Sequence, residues 1–131
     1  MKKLIAILFT LSLLGFACSN NSIKDNNHQL LIGKWKSLRD SNLNMEFSKN
    51  YYLNIYTGCS PDSVIYTLSS LPICNNNYIT DGQKEEELLF LNTICPLDRD
   101  TLCYEVLTLN DSILSIRETS RGYISVYNKQ H

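Results

Sequence analysis

The five cysteines of this 131-residue chain are the residues whose types and spacing most clearly indicate chemistry. Cys18 directly follows an apolar segment, whereas Cys59, Cys74, Cys95 and Cys103 lie in the body of the chain. An even number of body cysteines is typical of disulfide bonds in an exported protein, because export places thiols in an oxidising compartment. We therefore expect the four body cysteines to form disulfides.

The spacing of the body cysteines leaves the pairing open, because four cysteines allow three connectivities. The stretch between Cys95 and Cys103 lies between two strand-like runs, so a hairpin would bring these two together, and this bridge is favoured. Cys59 would then pair with Cys74 by elimination. A full strand over residues 63–69 would, however, place these two at opposite ends of that strand.

Catalytic and metal chemistry have little support in the residue types. The two histidines are His28, in a polar stretch near the start, and His131, the last residue. A serine or cysteine nucleophile needs a base beside it, and zinc sites combine cysteine and histidine at short spacings such as Cys-x-x-Cys, which does not occur in the sequence. We therefore expect no enzyme activity, no metal and no cofactor.

Residues 1–17 have the layout of a secretory signal peptide, with lysines followed by an apolar run and small residues at its end. The junction resembles the lipobox of bacterial lipoproteins, in which a small residue, here Ala17, precedes the cysteine that receives the lipid. Gly15 stands where that pattern has Leu, so ordinary cleavage before an unmodified Cys18 is the alternative. The resemblance implies a membrane anchor at Cys18.

Residues 18–29 are polar and show no apolar period, which predicts a flexible tether between the anchor and a domain. Ser19, rather than Asp, follows Cys18, and by the resemblance to lipoproteins this implies sorting to the outer membrane of a bacterial cell envelope. The net charge of −1 and the absence of a basic run argue against nucleic acid as a partner.

Residues 30–131 are predicted to form one all-β domain. Short alternating runs rich in Val, Ile, Tyr and Thr, such as residues 51–56 and 104–109, are separated by turn sequences such as Asn110-Asp111 and Arg121-Gly122. This spacing predicts a small antiparallel up-and-down β-barrel of about eight short strands.

Gly33 and Trp35 begin the first predicted strand, and a strand meander follows them. Together these features resemble lipocalin-like barrels, and specifically small bacterial lipocalin-like lipoproteins with a calycin-like fold. The resemblance implies that Trp35 plugs the closed end of the barrel and that a late arginine, Arg117 or Arg121, packs over it.

Four tyrosines fall on predicted strand faces, namely Tyr52, Tyr56, Tyr66 and Tyr104. Tyrosines that face a barrel interior form an apolar wall with hydroxyl groups, which suits an amphiphilic ligand. On the outside they would form a protein-binding surface, and simple core packing is a third interpretation.

Two hypotheses for function follow. The first is a lipid-anchored, monomeric barrel that binds a small hydrophobic or amphiphilic molecule, which an internal cavity of roughly 300 Å³ or more would favour. The second is a protein-interaction module, such as an inhibitor of an envelope hydrolase, that uses loops rather than a cavity.

Overall fold

The computed structural model describes residues 21–74 and 88–131, with side chains from residue 26 onward. The predicted signal peptide, residues 1–17, and the predicted anchor residue Cys18 lie outside these ranges.

One helix and eight antiparallel strands make up the described part of the chain. Helix α1 spans Asn21–Leu31, and the strands are β1 Gly33–Ser37, β2 Leu43–Phe47, β3 Tyr51–Tyr56, β4 Asp62–Ser69, β5 Phe90–Ile94, β6 Thr101–Leu109, β7 Ile113–Glu118 and β8 Ile124–Gln130. Each strand pairs with the next, and β1 pairs with β8, so the sheet closes into a barrel. The predicted all-β, up-and-down barrel is confirmed, and its architecture is consistent with a calycin-like fold.

Alternation along the strands decides which side chains fill the interior. Trp35 of β1 and Met45 and Phe47 of β2 point inward and are buried. Phe47 lies beside two tyrosines, with ring centroids 4.9 Å from Tyr52 and 5.3 Å from Tyr66. These large rings fill the half of the barrel near the β2–β3 turn, which becomes a packed core.

We call the end of the barrel that contains Gly33 and the β2–β3 turn the closed end. Trp35 is fully buried there, and its Nε1 donates a hydrogen bond of 2.8 Å to the carbonyl oxygen of Leu31 at the end of α1. Lys129 of β8 is the cross-strand partner of Trp35, and its Nζ lies 5.1 Å from the centroid of the Trp35 ring. The same ammonium donates to the carbonyl oxygen of Leu30 at 2.7 Å. Helix, first strand and last strand are therefore joined at one buried ring.

Gly33 makes this arrangement sterically possible. Its φ is +128°, in a region that side-chain-bearing residues rarely adopt, and a Cβ at this position would lie 3.1 Å from Lys129 Cε. The absent side chain leaves the path by which Lys129 reaches the Trp35 ring. The Gly-x-Trp pattern thus has a local physical reason in this barrel.

The cation over Trp35 is Lys129, and this corrects the expectation that Arg117 packs there. Alternation explains the difference: Ile116 points into the core, so its neighbour Arg117 points to the outer face. There Arg117 Nε donates to Glu105 Oε2 at 3.0 Å, across the β6–β7 pair. Arg121, the other candidate, follows β7 at the opposite end of the barrel.

Helix α1 covers the part of the predicted tether from Asn21 onward, and the flexibility of residues 18–29 stays a prediction. His28 fixes the helix to the barrel: its Nε2 lies 2.7 Å from the Lys49 carbonyl oxygen and 2.9 Å from the Tyr66 hydroxyl. The Tyr66 hydroxyl in turn donates to the Ser48 carbonyl oxygen at 2.5 Å. Helix α1 therefore covers the closed end of the barrel, held there by His28. Residues 18–20 lie outside the described ranges.

Residues 70–74, which we call the outer strap, lie against the outer face of the sheet after β4. Asn92 of β5 is buried beneath them: its Oδ1 accepts a hydrogen bond from the Ile73 N–H at 3.0 Å, and its Nδ2 donates to Ser69 Oγ at 2.7 Å. Both polar atoms of the buried Asn92 amide thus have hydrogen-bond partners. The amide also provides an acceptor for the backbone of the strap while β5 stays covered.

A disulfide joins Cys74 at the end of the outer strap to Cys103 of β6, and this corrects the favoured pairing. Cys103 lies opposite Asn92 in the β5–β6 register, whereas Cys95 lies beyond the end of β5, so the two are offset along the hairpin. Cys59 precedes β4 and Cys74 follows it, so the whole strand separates them, as the objection from the sequence anticipated. Cys59 and Cys95 are free thiols.

We predict that removing the Cys74–Cys103 bridge lowers the free energy of unfolding. The bridge spans 29 residues, and a loop of that length corresponds to a stabilisation of about 3–4 kcal/mol through the lost entropy of the unfolded chain. The Cys74→Ala/Cys103→Ala variant should lose this amount in urea denaturation. The Cys59→Ala variant is the matched control and should unfold like the parent. A non-reduced peptide map containing a Cys95–Cys103 link would contradict the pairing.

Candidate functional site

The opposite end of the barrel, which we call the open end, carries the β1–β2, β3–β4, β5–β6 and β7–β8 connections. A cavity of about 220 Å³ lies inside the barrel at this end. We call it the tyrosine cavity. The described residues that line it are Leu43, Met45, Tyr52, Asn54, Tyr56, Tyr104, Ile116, Glu118, Tyr123, Ser125 and Tyr127.

The cavity has a buried apolar floor and an open aromatic rim. Met45, Ile116, Tyr52 and Tyr127 are buried and separate the cavity from the packed core. At the rim, by contrast, the side chain of Tyr123 is 63% exposed. A ligand entering from solvent would therefore pass exposed tyrosine before reaching the floor.

Strand alternation brings the lining residues onto one face. Tyr52, Asn54 and Tyr56 occupy every second position of β3 and all contact the cavity. Tyr104 of β6 joins them from the opposite wall. Three of the four tyrosines named as ligand-lining from the sequence thus meet in one cavity.

Tyr66, the fourth of those tyrosines, does not line the cavity. It lies at the closed end, where its hydroxyl is held by His28 and the Ser48 carbonyl oxygen. Its strand has the same alternation, but alternation does not reveal the height of a residue along the barrel axis. The position of Tyr66 near the closed end follows only from the strand registers.

The sequence reasoning missed Tyr123, Ser125 and Tyr127, which line the wall formed by β8 and the turn before it. These three residues recur with a period of two, the same signal that identified the tyrosines of β3. Glu118 at the end of β7 was also missed. Only the closure of β8 against β1 and β7 shows that they face the same interior.

Burial raises the pKa of three tyrosines of the cavity, namely Tyr52, Tyr104 and Tyr127. It is the main cause that raises the pKa of Tyr104 to about 12, and the nearby Glu118 carboxylate raises it further. Burial also raises the pKa of Tyr52 above its usual range, against the opposing effect of hydrogen bonds with Thr93 and Asn54. The pKa of Tyr127 is raised by burial as well.

Glu118 is the one carboxylate among the described residues that line the cavity. Its Oε1 accepts a hydrogen bond from Ser120 Oγ at 2.5 Å and lies 3.7 Å from Arg121 Nε. The Arg121 side chain is 72% exposed, so this ion pair is solvated and weak. The carboxylate is therefore oriented at the cavity by its own turn.

The residues that line the cavity are apolar, aromatic and polar side chains with one carboxylate. His28 caps the closed end, far along the barrel from the cavity, and the described lining residues include no histidine or cysteine. Within the described ranges, no group of three or more His, Cys, Asp or Glu side chains is arranged to hold a metal ion. The absence of enzyme activity stays a prediction.

The chain matches no protein-family model, and comparison with curated proteins and with solved structures finds no similar protein. Between residues 21 and 74 and between 88 and 131, no helix has the length and apolar character needed to cross a membrane.

We predict that the stability of the barrel falls at alkaline pH because burial raises the pKa of Tyr52, Tyr104 and Tyr127. Below pH 10.0, the ordinary tyrosine pKa, these groups are neutral in both states and the free energy of unfolding is unaffected. From there to about pH 12 the unfolded chain loses protons that folded Tyr104 retains, so the free energy of unfolding decreases.

Urea denaturation over this pH range, with tyrosinate absorbance recorded in parallel, measures the effect. Tyr104→Phe should make the decline shallower, whereas Tyr51→Phe on the outer face should not. Equal declines in the two variants would contradict the assignment.

Proposed function

We propose that this chain is a non-enzymatic lipoprotein of a bacterial cell envelope, whose lipocalin-like barrel binds a small amphiphilic molecule in the tyrosine cavity. The observation that carries the proposal is the cavity itself, which opens at one end and is lined by five tyrosines, Tyr52, Tyr56, Tyr104, Tyr123 and Tyr127. Barrels of eight strands have interiors that hold either packed side chains or one small ligand.

The size of the cavity limits the ligand. At about 220 Å³ it is smaller than the roughly 300 Å³ at which sites for drug-sized ligands begin, so the size named in the sequence analysis as favouring a ligand carrier is not reached. It has room for about seven water-sized volumes, since each water occupies about 30 Å³ in the liquid. A compact molecule fits this space, whereas a long acyl chain does not, because the aromatic core fills the rest of the barrel.

The lining favours a molecule with one apolar and one polar part. Met45 and Ile116 form an apolar floor, and the tyrosine rings extend it along the walls. Nearer the opening, Asn54, Glu118 and Ser125 supply polar atoms. An apolar group on the floor with a polar group toward the opening satisfies both regions.

The connection from Cys18 supports an orientation in which the cavity faces away from the membrane. Helix α1 begins three residues after Cys18 and packs on the closed end through Leu31 and His28. A lipid on Cys18 would hold the closed end toward the bilayer. The open end would then receive its ligand from the aqueous phase.

A second candidate function is an interaction module, for example an inhibitor of an envelope hydrolase. It is favoured by Leu97, whose side chain is 94% exposed in the β5–β6 connection at the open end. Apolar side chains presented on loops are typical anchors of protein interfaces. This surface does not require the cavity to be empty.

We predict that filling the cavity abolishes ligand binding without unfolding the barrel. Ligand-observed NMR with the full chain and a panel of p-cresol, hexanol, hexylamine and hexanoate should detect at least one binder with a dissociation constant of about a millimolar or below, as small ligands allow. Ser125→Trp places an indole in the cavity and should remove the signal. Ser63→Trp, an exposed position on β4, should retain it.

Two outcomes would contradict the binding proposal. Either no panel member binds the parent chain, or binding persists unchanged in the Ser125→Trp variant. Interaction with a protein partner that survives in Ser125→Trp would favour the second candidate function.

We predict that Cys18 carries the membrane anchor. Metabolic labelling with a fatty-acid analogue in a bacterial host should label the chain, and Cys18→Ser should lose both the label and the membrane fraction. Cys59→Ser, which removes an exposed free thiol, should keep both. Label retained in Cys18→Ser, or absent from the parent, would contradict the anchor and leave the binding proposal unaffected.

A further inference from the structure

The ionisable groups of the tyrosine cavity have one sign. Glu118 is its carboxylate, and the described residues that line it include no lysine, arginine or histidine. Arg121 forms an ion pair with Glu118, with its Nε 3.7 Å from Oε1, and its side chain is largely in solvent. The Glu118 carboxylate therefore faces a solvated guanidinium beside the cavity, and no described lining residue adds a positive charge.

The aromatic groups add to this field in the same direction. Tyr52, Tyr56, Tyr104, Tyr123 and Tyr127 reach the cavity from three strands and one turn, so rings surround it on several sides. The face of an aromatic ring carries partial negative charge and attracts a cation within about 6 Å of its centre. Several rings around one small space form an aromatic cage.

From this combination we propose that the tyrosine cavity selects a small organic ammonium ion over neutral and anionic molecules of the same shape. The inference rests on the proposed ligand-binding function and names its ligand class. The ammonium head lies among the rings near Glu118, and its alkyl groups contact the apolar floor.

An anion is disfavoured at this site for the opposite reasons. It would lose water inside the barrel and lie close to the Glu118 carboxylate, with no cationic side chain among the described lining residues to compensate. The raised pKa of Tyr104, to which Glu118 contributes after burial, reports the same preference, since a negative charge on that ring is resisted.

A neutral molecule is neither repelled nor attracted by the charge of the cavity. Its alkyl groups pack on Met45 and Ile116 as those of an ammonium ion do. It gains nothing from Glu118 or from the charge on the ring faces. Selectivity for the cation is therefore the measurable consequence of the arrangement, rather than binding alone.

Three probes of nearly equal shape test this selectivity by calorimetry or ligand-observed NMR with the full chain. They are choline; dimethylbutanol, in which carbon replaces the choline nitrogen; and dimethylbutyrate, its anionic relative. We expect choline to bind about tenfold more tightly than dimethylbutanol, which corresponds to about 1.4 kcal/mol of binding free energy. Dimethylbutyrate should not bind measurably.

Variants identify the groups responsible. Glu118→Gln preserves shape and should weaken choline binding about fivefold to tenfold while leaving dimethylbutanol unchanged. Glu46→Gln is the matched control, because Glu46 lies 3.9 Å from Lys34 and away from the cavity lining. Tyr123→Leu, at the exposed rim, should also weaken choline binding, whereas Tyr51→Leu on the outer face should not.

The outcomes separate this inference from the function on which it rests. Equal affinities for choline and dimethylbutanol would overturn the cation preference while supporting a ligand cavity. Choline binding that persists in Ser125→Trp would overturn it as well, since the ion would then bind elsewhere. Failure of all three probes also overturns it, and the proposed function is then judged by its own panel of amphiphiles.

Discussion

Trp35 lies where helix α1, the first strand and the last strand meet, and the rest of the barrel depends on that contact. Its indole N–H is satisfied by the Leu31 carbonyl oxygen, and its face is covered by the Lys129 ammonium, which also binds the Leu30 carbonyl oxygen. The buried ring thus keeps its polar atom paired, as burial requires. Because Trp35 and Lys129 are partners across the β1–β8 pair, the same contact closes the sheet.

Plugging one end of the barrel determines what the other end can do. Phe47, Tyr52 and Tyr66 pack against each other in the closed half of the barrel. They fill the interior from the closed end as far as Tyr52. From Tyr52 toward the open end the interior is open, and tyrosine, asparagine and serine join the apolar residues in its walls. The ring of Tyr52 therefore belongs to both regions, because it packs against Phe47 in the core and also forms part of the cavity floor.

On the outer face, a buried amide and a disulfide hold the start of a long connection against the sheet. The chain between β4 and β5 is too long for a tight hairpin, and its described first part folds back over β5 and β6. Asn92 satisfies the backbone of this strap, and the Cys74–Cys103 bridge fixes its end. Covalent linkage on the outside leaves the cavity end free of disulfides within the described ranges, and the free thiols Cys59 and Cys95 flank connections at that end.

The sequence by itself determined the features that repeat with the strand period. The all-β barrel and the shared face of Tyr52 and Tyr56 follow from alternation and turn residues, since each depends only on neighbours along the chain. The role expected of Gly33 and Trp35 came instead from the resemblance that their short motif carries. The tertiary structure decided what depends on register and closure. It placed Lys129 rather than Arg117 over Trp35, paired Cys103 with Cys74 rather than with Cys95, and set the height of each tyrosine. These features are set by which chain positions lie opposite one another around a closed sheet.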